Sequence, residues 1–97
     1  MTTVTVGIPT HNEQDSISVS LESVINQVDV KIVQIIVVAS GCTDNTVEIV
    51  SSFSKKDKRI KLIVEKERKG KISALNHILK ESKGDILFHT DGDVILD

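Results

Sequence analysis

The sequence predicts an α/β fold, a Rossmann-like parallel sheet with helices on both faces. Apolar runs of strand length alternate with segments of helical spacing in the order βαβαβαβ. The connections between them are short, and the apolar residues are mainly Val, Ile and Leu, as in strands buried on both faces. Such alternation builds a parallel sheet through right-handed crossovers. Ligands of an open sheet of this kind bind beyond the carboxyl ends of its strands.

The first strand covers residues 4–8 and stops at Pro9, after which Thr10-His11-Asn12-Glu13 forms a polar cluster. Ile17, Leu21, Val24, Ile25 and Val28 then recur at helical spacing, with Asn12 as the expected cap and Glu13 and Asp15 near the positive helix start. Residues 32–39, apolar except Gln34, read as a strand buried on both faces. The turn Ser40-Gly41-Cys42-Thr43-Asp44 leads into a second helix with Val47, Val50 and Phe53 inward, capped by Thr43 or Asp44. A charged connection (55–59) precedes a third strand (60–64), and a charged loop (65–71) follows it. A third helix carries Ile72, Leu75, Ile78 and Leu79 on one face and ends at Gly84, read as a left-handed cap. Residues 86–88 form a fourth strand, followed closely by Asp91-Gly92-Asp93.

Composition narrows the function classes. Ninety-seven residues make a single domain. Phe53 and Phe88 are the only aromatic residues, too few for the stacking faces that single-stranded nucleic acid needs. A net charge of −2 gives no general attraction to nucleic acid or anionic membrane. Cys42 stands alone, so the chain builds no disulfide or zinc cluster of its own, and a reducing compartment is expected. No apolar run is long enough to span a bilayer, and the chain reads as cytoplasmic.

The polar clusters after strands one, two and four gather at one sheet edge. Asp91-Gly92-Asp93 sets two carboxylates two residues apart, and Gly92 lets the backbone bend so that both converge. Mg²⁺ and Mn²⁺ take such oxygen donors together with substrate phosphates. A polar turn explains the same three residues taken alone. Thr10 and Glu13 offer hydrogen bonds to a base and ribose, although simple helix capping also accounts for their cluster, and His11 by itself reads as a loop histidine. Ser40 and neighbouring backbone groups suit the edge of a uracil-like base, whereas a cap explains Asp44 and small-residue packing explains Cys42. Lys69-Gly70-Lys71 precedes a helix start, where backbone N–H groups favour phosphate; a solvated loop is the plainer reading. His77 and His89 have no metal-ligand spacing and read as structural. A dinucleotide dehydrogenase is excluded by the missing Gly-x-Gly-x-x-Gly, and a receiver domain by the missing acidic residues at strands one and three.

The ordered clusters resemble the family-two glycosyltransferases. Val6-Gly7-Ile8-Pro9-Thr10-His11-Asn12-Glu13 is similar to their opening segment, hydrophobic-Pro-x-x-Asn-Glu. Ser-Gly-Cys-Thr-Asp-Asn-Thr (40–46) stands where Asp-Gly-Ser-Thr-Asp is usual. Residues 70–76 resemble Gly-Lys-x-x-Ala-x-Asn, and residues 86–93 resemble the strand leading into the DxD motif. The resemblance implies a partial GT-A fold with strand order 3-2-1-4 and inverting transfer from a nucleotide diphosphate sugar, a UDP-sugar, to a saccharide or lipid acceptor. It implies that Pro9, Thr10 and Glu13 contact the nucleoside, with Glu13 near the ribose, and that His11 and Gly92 belong to the same site. Ser40 would read the base edge, Lys71 would lie near the base or phosphates, and Asp91 would approach the ribose. Asp93, with Asp91, would hold Mn²⁺ or Mg²⁺ on the diphosphate.

Ala39 and Ser40 replace a commonly acidic pair, which leaves the base open. The family's catalytic base is a carboxylate well downstream of the DxD motif, so it is expected beyond Asp97, in a chain cut after the motif and inactive by itself. The alternative is a non-catalytic nucleotide- or metal-binding module. The missing strands beyond the fourth predict a homodimer through that strand's open edge.

Overall fold

The computed structural model describes residues 2–28, 30–67, 71–84 and 86–89. Its elements follow the expected order: β1 (Thr3–Thr10), α1 (Ile17–Ile25), β2 (Lys31–Ser40), α2 (Thr46–Lys56), β3 (Ile60–Glu65), α3 (Lys71–Glu81) and β4 (Ile86–His89). The strands form one parallel sheet in the order β3-β2-β1-β4. Among the described residues, β4 pairs with β1 alone and stands at the sheet edge.

The period-two alternation of a strand sends successive side chains to opposite faces. Val6 and Ile8 of β1, with Ile35 and Val37 of β2, meet Ile17, Leu21 and Val24 of α1 and Val50 of α2 in the larger core cluster. On the other face, Ile36 and Val38 meet Ala74 and Ile78 of α3. The two-sided burial expected of the second strand is thus present from Ile35 to Ser40. Gly7 permits the close approach of α3, because a Cβ there would lie 2.5 Å from Cγ2 of Ile78.

The inward arc of α3 differs from the expected one. Ala74 and Ile78 are buried and Leu75 packs partly, while Ile72 and Leu79 are 77% and 61% exposed. Glu65 is the physical reason. Its buried carboxylate engages Ser73 and His77, one helical turn apart on α3, and this rotates the helix away from its most apolar stripe. Leaving a buried carboxylate without partners costs more than exposing two apolar side chains.

Three boundaries also move. β1 runs through Pro9, which lies opposite Val38, and the pairing of β1 with β4 is described only as far as Gly7. A proline is tolerated where the ladder is one-sided. α1 ends at Ile25, where the N–H groups of Asn26 and Gln27 close on the carbonyls of Glu22 and Val24; Val28 falls past the helix and is 89% exposed. α3 ends at Glu81, and Gly84 is not its left-handed cap, because Gly41 is the positive-φ glycine among the described residues. Gly84 is instead a contact position: its N–H donates to Oγ1 of Thr5 at 2.8 Å, and a Cβ would lie 2.7 Å from the Thr5 nitrogen.

Candidate functional site

Parallel register brings three polar residues to one edge. Thr10 closes β1 beside Ala39, and Ser40 closes β2 beside Glu65, the last residue of β3. All three are buried, with 4%, 5% and 5% exposure respectively. Buried polar groups need hydrogen-bond partners. Oε2 of Glu65 accepts the Ser73 hydroxyl at 2.6 Å and lies 3.2 Å from Nε2 of His77, while the Glu65 carbonyl accepts the Gly41 N–H at 2.8 Å. Oγ1 of Thr10 has no hydrogen-bond partner among the described residues.

His11 follows Thr10, and its Nδ1 lies 2.6 Å from the carbonyl oxygen of Ser40. A carbonyl only accepts, so Nδ1 carries the hydrogen and the ring is held against the end of β2. Beyond it, the β1–α1 loop and the β2–α2 turn are bonded to each other. The Glu13 N–H donates to Oγ1 of Thr46 at 2.9 Å, and the Gln14 N–H donates to Oδ2 of Asp44 at 3.2 Å. In return, the Asn45 N–H donates to Oε1 of Gln14 at 3.0 Å. Asp44 also accepts the N–H of Thr46, the first residue of α2, at 3.0 Å, together with the Thr46 hydroxyl. Desolvation raises the pKa of the Asp44 carboxyl, but the bonds from Thr46 and Gln14 outweigh it and hold the group below its ordinary value.

Asp44 therefore bonds the first residue of α2, but the cap position of that helix belongs to Asn45, which makes no side-chain cap bond, and not to Thr43 or Asp44 as expected. Asn12 likewise does not cap α1. That helix begins at Ile17, and Ser16 holds the cap position without a side-chain cap bond. The Glu13 carbonyl accepts the N–H groups of Ser16 and Ile17. Asn12 has turned its carboxamide toward the β2–α2 turn instead, because its backbone is left-handed, with φ 51°. The Glu13 carboxylate accepts the Ser16 hydroxyl at 3.4 Å.

The structure thus brings Thr10, His11 and Ser40 together, keeps Pro9 buried inside β1, and places Glu13 on the loop that enters α1. Lys71 is the first residue of α3. Lys69, Gly70, Asp91, Gly92, Asp93 and Asp97 lie outside the described residues. The backbone of β4 is described through His89, opposite Gly7, and Asp91 follows two residues later in sequence. Among the described residues, no group of three or more His, Cys, Asp or Glu side chains is arranged to hold a metal ion, and no helix is long and apolar enough to cross a membrane. Sequence reasoning missed Glu65 by reading it as part of a charged loop. The signal was an acidic residue closing an apolar strand, with Ser73 and His77 four residues apart on the next helix.

The family model for glycosyl transferase family 2 matches residues 5–97. The chain is 40% identical over 94 residues to the probable glycosyltransferase YdaM of Bacillus subtilis (strain 168), covering 93% of this chain and 22% of that protein. It superposes with a TM-score of 0.85 and 35% identity on the mannosyltransferase PcManGT from Pyrobaculum calidifontis in complex with GDP-Man and Mn²⁺, covering 95% of this chain and 28% of that one. Glucosyl-3-phosphoglycerate synthase from Mycobacterium tuberculosis, in complex with Mn²⁺, UDP and glucosyl-3-phosphoglycerate, superposes with a TM-score of 0.79 and 28% identity, over 97% of this chain and 34% of that one. The chain thus spans about a fifth to a third of the length of these relatives. With the family model matched across nearly all of its residues, the chain belongs to glycosyl transferase family 2.

Proposed function

We propose that this chain forms the donor side of a metal-dependent glycosyltransferase, binding a nucleotide diphosphate sugar, a UDP-sugar in the first reading, for inverting transfer to an acceptor hydroxyl. The observation that carries the proposal is the buried hydroxyl of Thr10, which has no partner among the described residues at the edge where β1 and β2 end. A nucleoside offers the hydrogen bond that this hydroxyl lacks. The mannosyltransferase structure with GDP-Man and Mn²⁺ and the synthase structure with UDP and Mn²⁺ support the same class of ligand.

In this reading, Thr10 bonds the nucleoside, Ser40 lies along the base edge, and His11 is fixed beside them by the Ser40 carbonyl. Pro9 shapes the strand end behind Thr10, and Glu13 lies toward the ribose side. Lys71, at the start of α3, lies toward the phosphates, where helix N-termini favour anions. Asp91 and Asp93, flanking Gly92, are hard oxygen donors directly after β4, a set that fits Mn²⁺ or Mg²⁺. When bound, the ion would neutralise charge on the leaving diphosphate. No residue of the chain is assigned as the general base.

A second reading of the base is guanine, favoured by the 35% identity to the structure that holds GDP-Man. Titration calorimetry with UDP and GDP, with and without Mn²⁺, tests both. Binding of UDP that needs Mn²⁺ and is largely lost in Asp93→Ala is expected. Tighter binding of GDP than of UDP moves the base to guanine. Equal binding by Asp93→Ala and wild type removes the metal assignment, and binding of neither nucleotide rejects the donor role.

A further inference from the structure

Three consecutive residues after β1 reach across to the turn after β2. His11 bonds the Ser40 carbonyl through its ring, and Glu13 bonds the Thr46 hydroxyl through its backbone. Asn12, between them, makes more of the described bonds to that turn than either neighbour. Its Oδ1 accepts two backbone N–H groups, those of Thr43 at 2.8 Å and Asp44 at 3.3 Å. Its Nδ2 donates to Oγ1 of Thr43 at 3.4 Å, and its own N–H points to Sγ of Cys42 at 3.5 Å. Asn12 is also the positive-φ residue other than glycine among the described residues, at φ 51°. That conformation costs an ordinary L-residue about 1–2 kcal/mol, and Asn tolerates it better than most. Asn12 is solvent-exposed, so these bonds hold it in place and burial does not.

We propose that Asn12 is a positioning residue of the donor site: its left-handed backbone aims the carboxamide at the β2–α2 turn and clamps that turn to the β1–α1 loop, setting Thr10, His11 and Ser40 before a nucleotide arrives. The inference rests on the donor-site reading and goes beyond it, because Asn12 touches no ligand in this scheme. Without the Oδ1 acceptor, the Thr43 and Asp44 N–H groups turn to water and residues 41–45 sample other conformations. Ligand affinity then falls by the fraction of molecules that keep the competent turn.

Asn12→Gly removes the carboxamide while relieving the left-handed backbone, so the variant folds. Asn12→Asp keeps an Oδ1 acceptor for both N–H groups. The full chain is titrated with UDP and with GDP in Mn²⁺ at near-physiological salt, alongside thermal unfolding and amide chemical shifts of Thr43 and Asp44. The expected result for Asn12→Gly is about tenfold weaker binding of whichever nucleotide the wild type takes, with displaced Thr43 and Asp44 amide signals and a melting temperature within a few degrees of wild type. Asn12→Asp is expected to recover most of the affinity and the amide positions. Equal affinity in Asn12→Gly and wild type overturns the inference while leaving the donor site standing. Equal weakening in both variants overturns it too, since the carboxamide would then contact the ligand itself. A wild-type chain that binds neither nucleotide overturns the donor-site reading, and this inference with it.

Discussion

Thr10 carries the clearest trade-off at the scale of a single residue. A buried hydroxyl left unpaired costs the free protein about 1–3 kcal/mol, and the same hydroxyl strengthens a complex that satisfies it. Thr10→Val keeps the shape and removes the oxygen. The expected result is a melting temperature raised by several degrees, since about 1 kcal/mol moves a domain of this size by 4–8 °C. Nucleotide affinity should fall about three- to tenfold in the same variant, the loss of one hydrogen bond. Thermal unfolding and calorimetry on one preparation read both effects, and a fall in stability or unchanged affinity counts against the assignment. Sequence placed Thr10 in the polar cluster after the first strand; that it closes β1 and is buried was not legible, because strand ends depend on pairing with the neighbouring strand. Asn12 reads as a helix cap in the sequence, whereas its carboxamide bridges to the β2–α2 turn; capping and cross-bracing use the same group, and sequence does not separate them.

At the scale of the element, α3 shows where hydrophobic periodicity stops being informative. The stripe of Ile72, Leu75, Ile78 and Leu79 satisfies the helical period, yet the sheet takes Ala74 and Ile78 because Glu65 claims Ser73 and His77. Periodicity establishes that a segment is helical; a buried charge on a neighbouring strand sets its rotation. The close contact between Gly7 and Ile78 turns this into a stability test. Gly7→Ala is expected to destabilise by about 1–3 kcal/mol through overpacking. Leu79→Lys, on the exposed side, should change stability by less than about 0.5 kcal/mol. Gly7→Ala combined with Ile78→Ala should cost clearly less than the sum of the single changes, because the second substitution makes room for the first. Urea unfolding midpoints measure the cycle. Strict additivity would mean that α3 does not sit against Gly7.

For the molecule as a whole, element order and the meeting of the clusters after the first two strands at one edge were readable from sequence, since βα alternation leaves few topologies. The electrostatic ties were not readable, because each joins groups through a fold-dependent contact or a turn geometry. Besides the contacts of Glu65, three carboxylates carry them. The side-chain bond from Arg59 lowers the pKa of Asp57, and the bond and charge of Lys61 lower that of Glu81. The hydrogen bonds from Thr46 and Gln14, against desolvation, lower that of Asp44. A carboxyl whose folded pKa lies below its unfolded value binds its proton more readily in the unfolded chain. Its contribution is therefore complete above the ordinary carboxylate range and is lost as pH falls through the folded value. The melting temperature should be nearly flat from neutral pH down to about pH 5 and fall increasingly below about pH 4, where ordinary carboxyls take up protons. Asp44→Asn should lower stability at neutral pH and flatten the acid slope, since one of the three groups no longer titrates. Melting curves collected from neutral to acid pH test this sign. A variant as acid-sensitive as the wild type would show that the Asp44 carboxylate does not tie the two loops together.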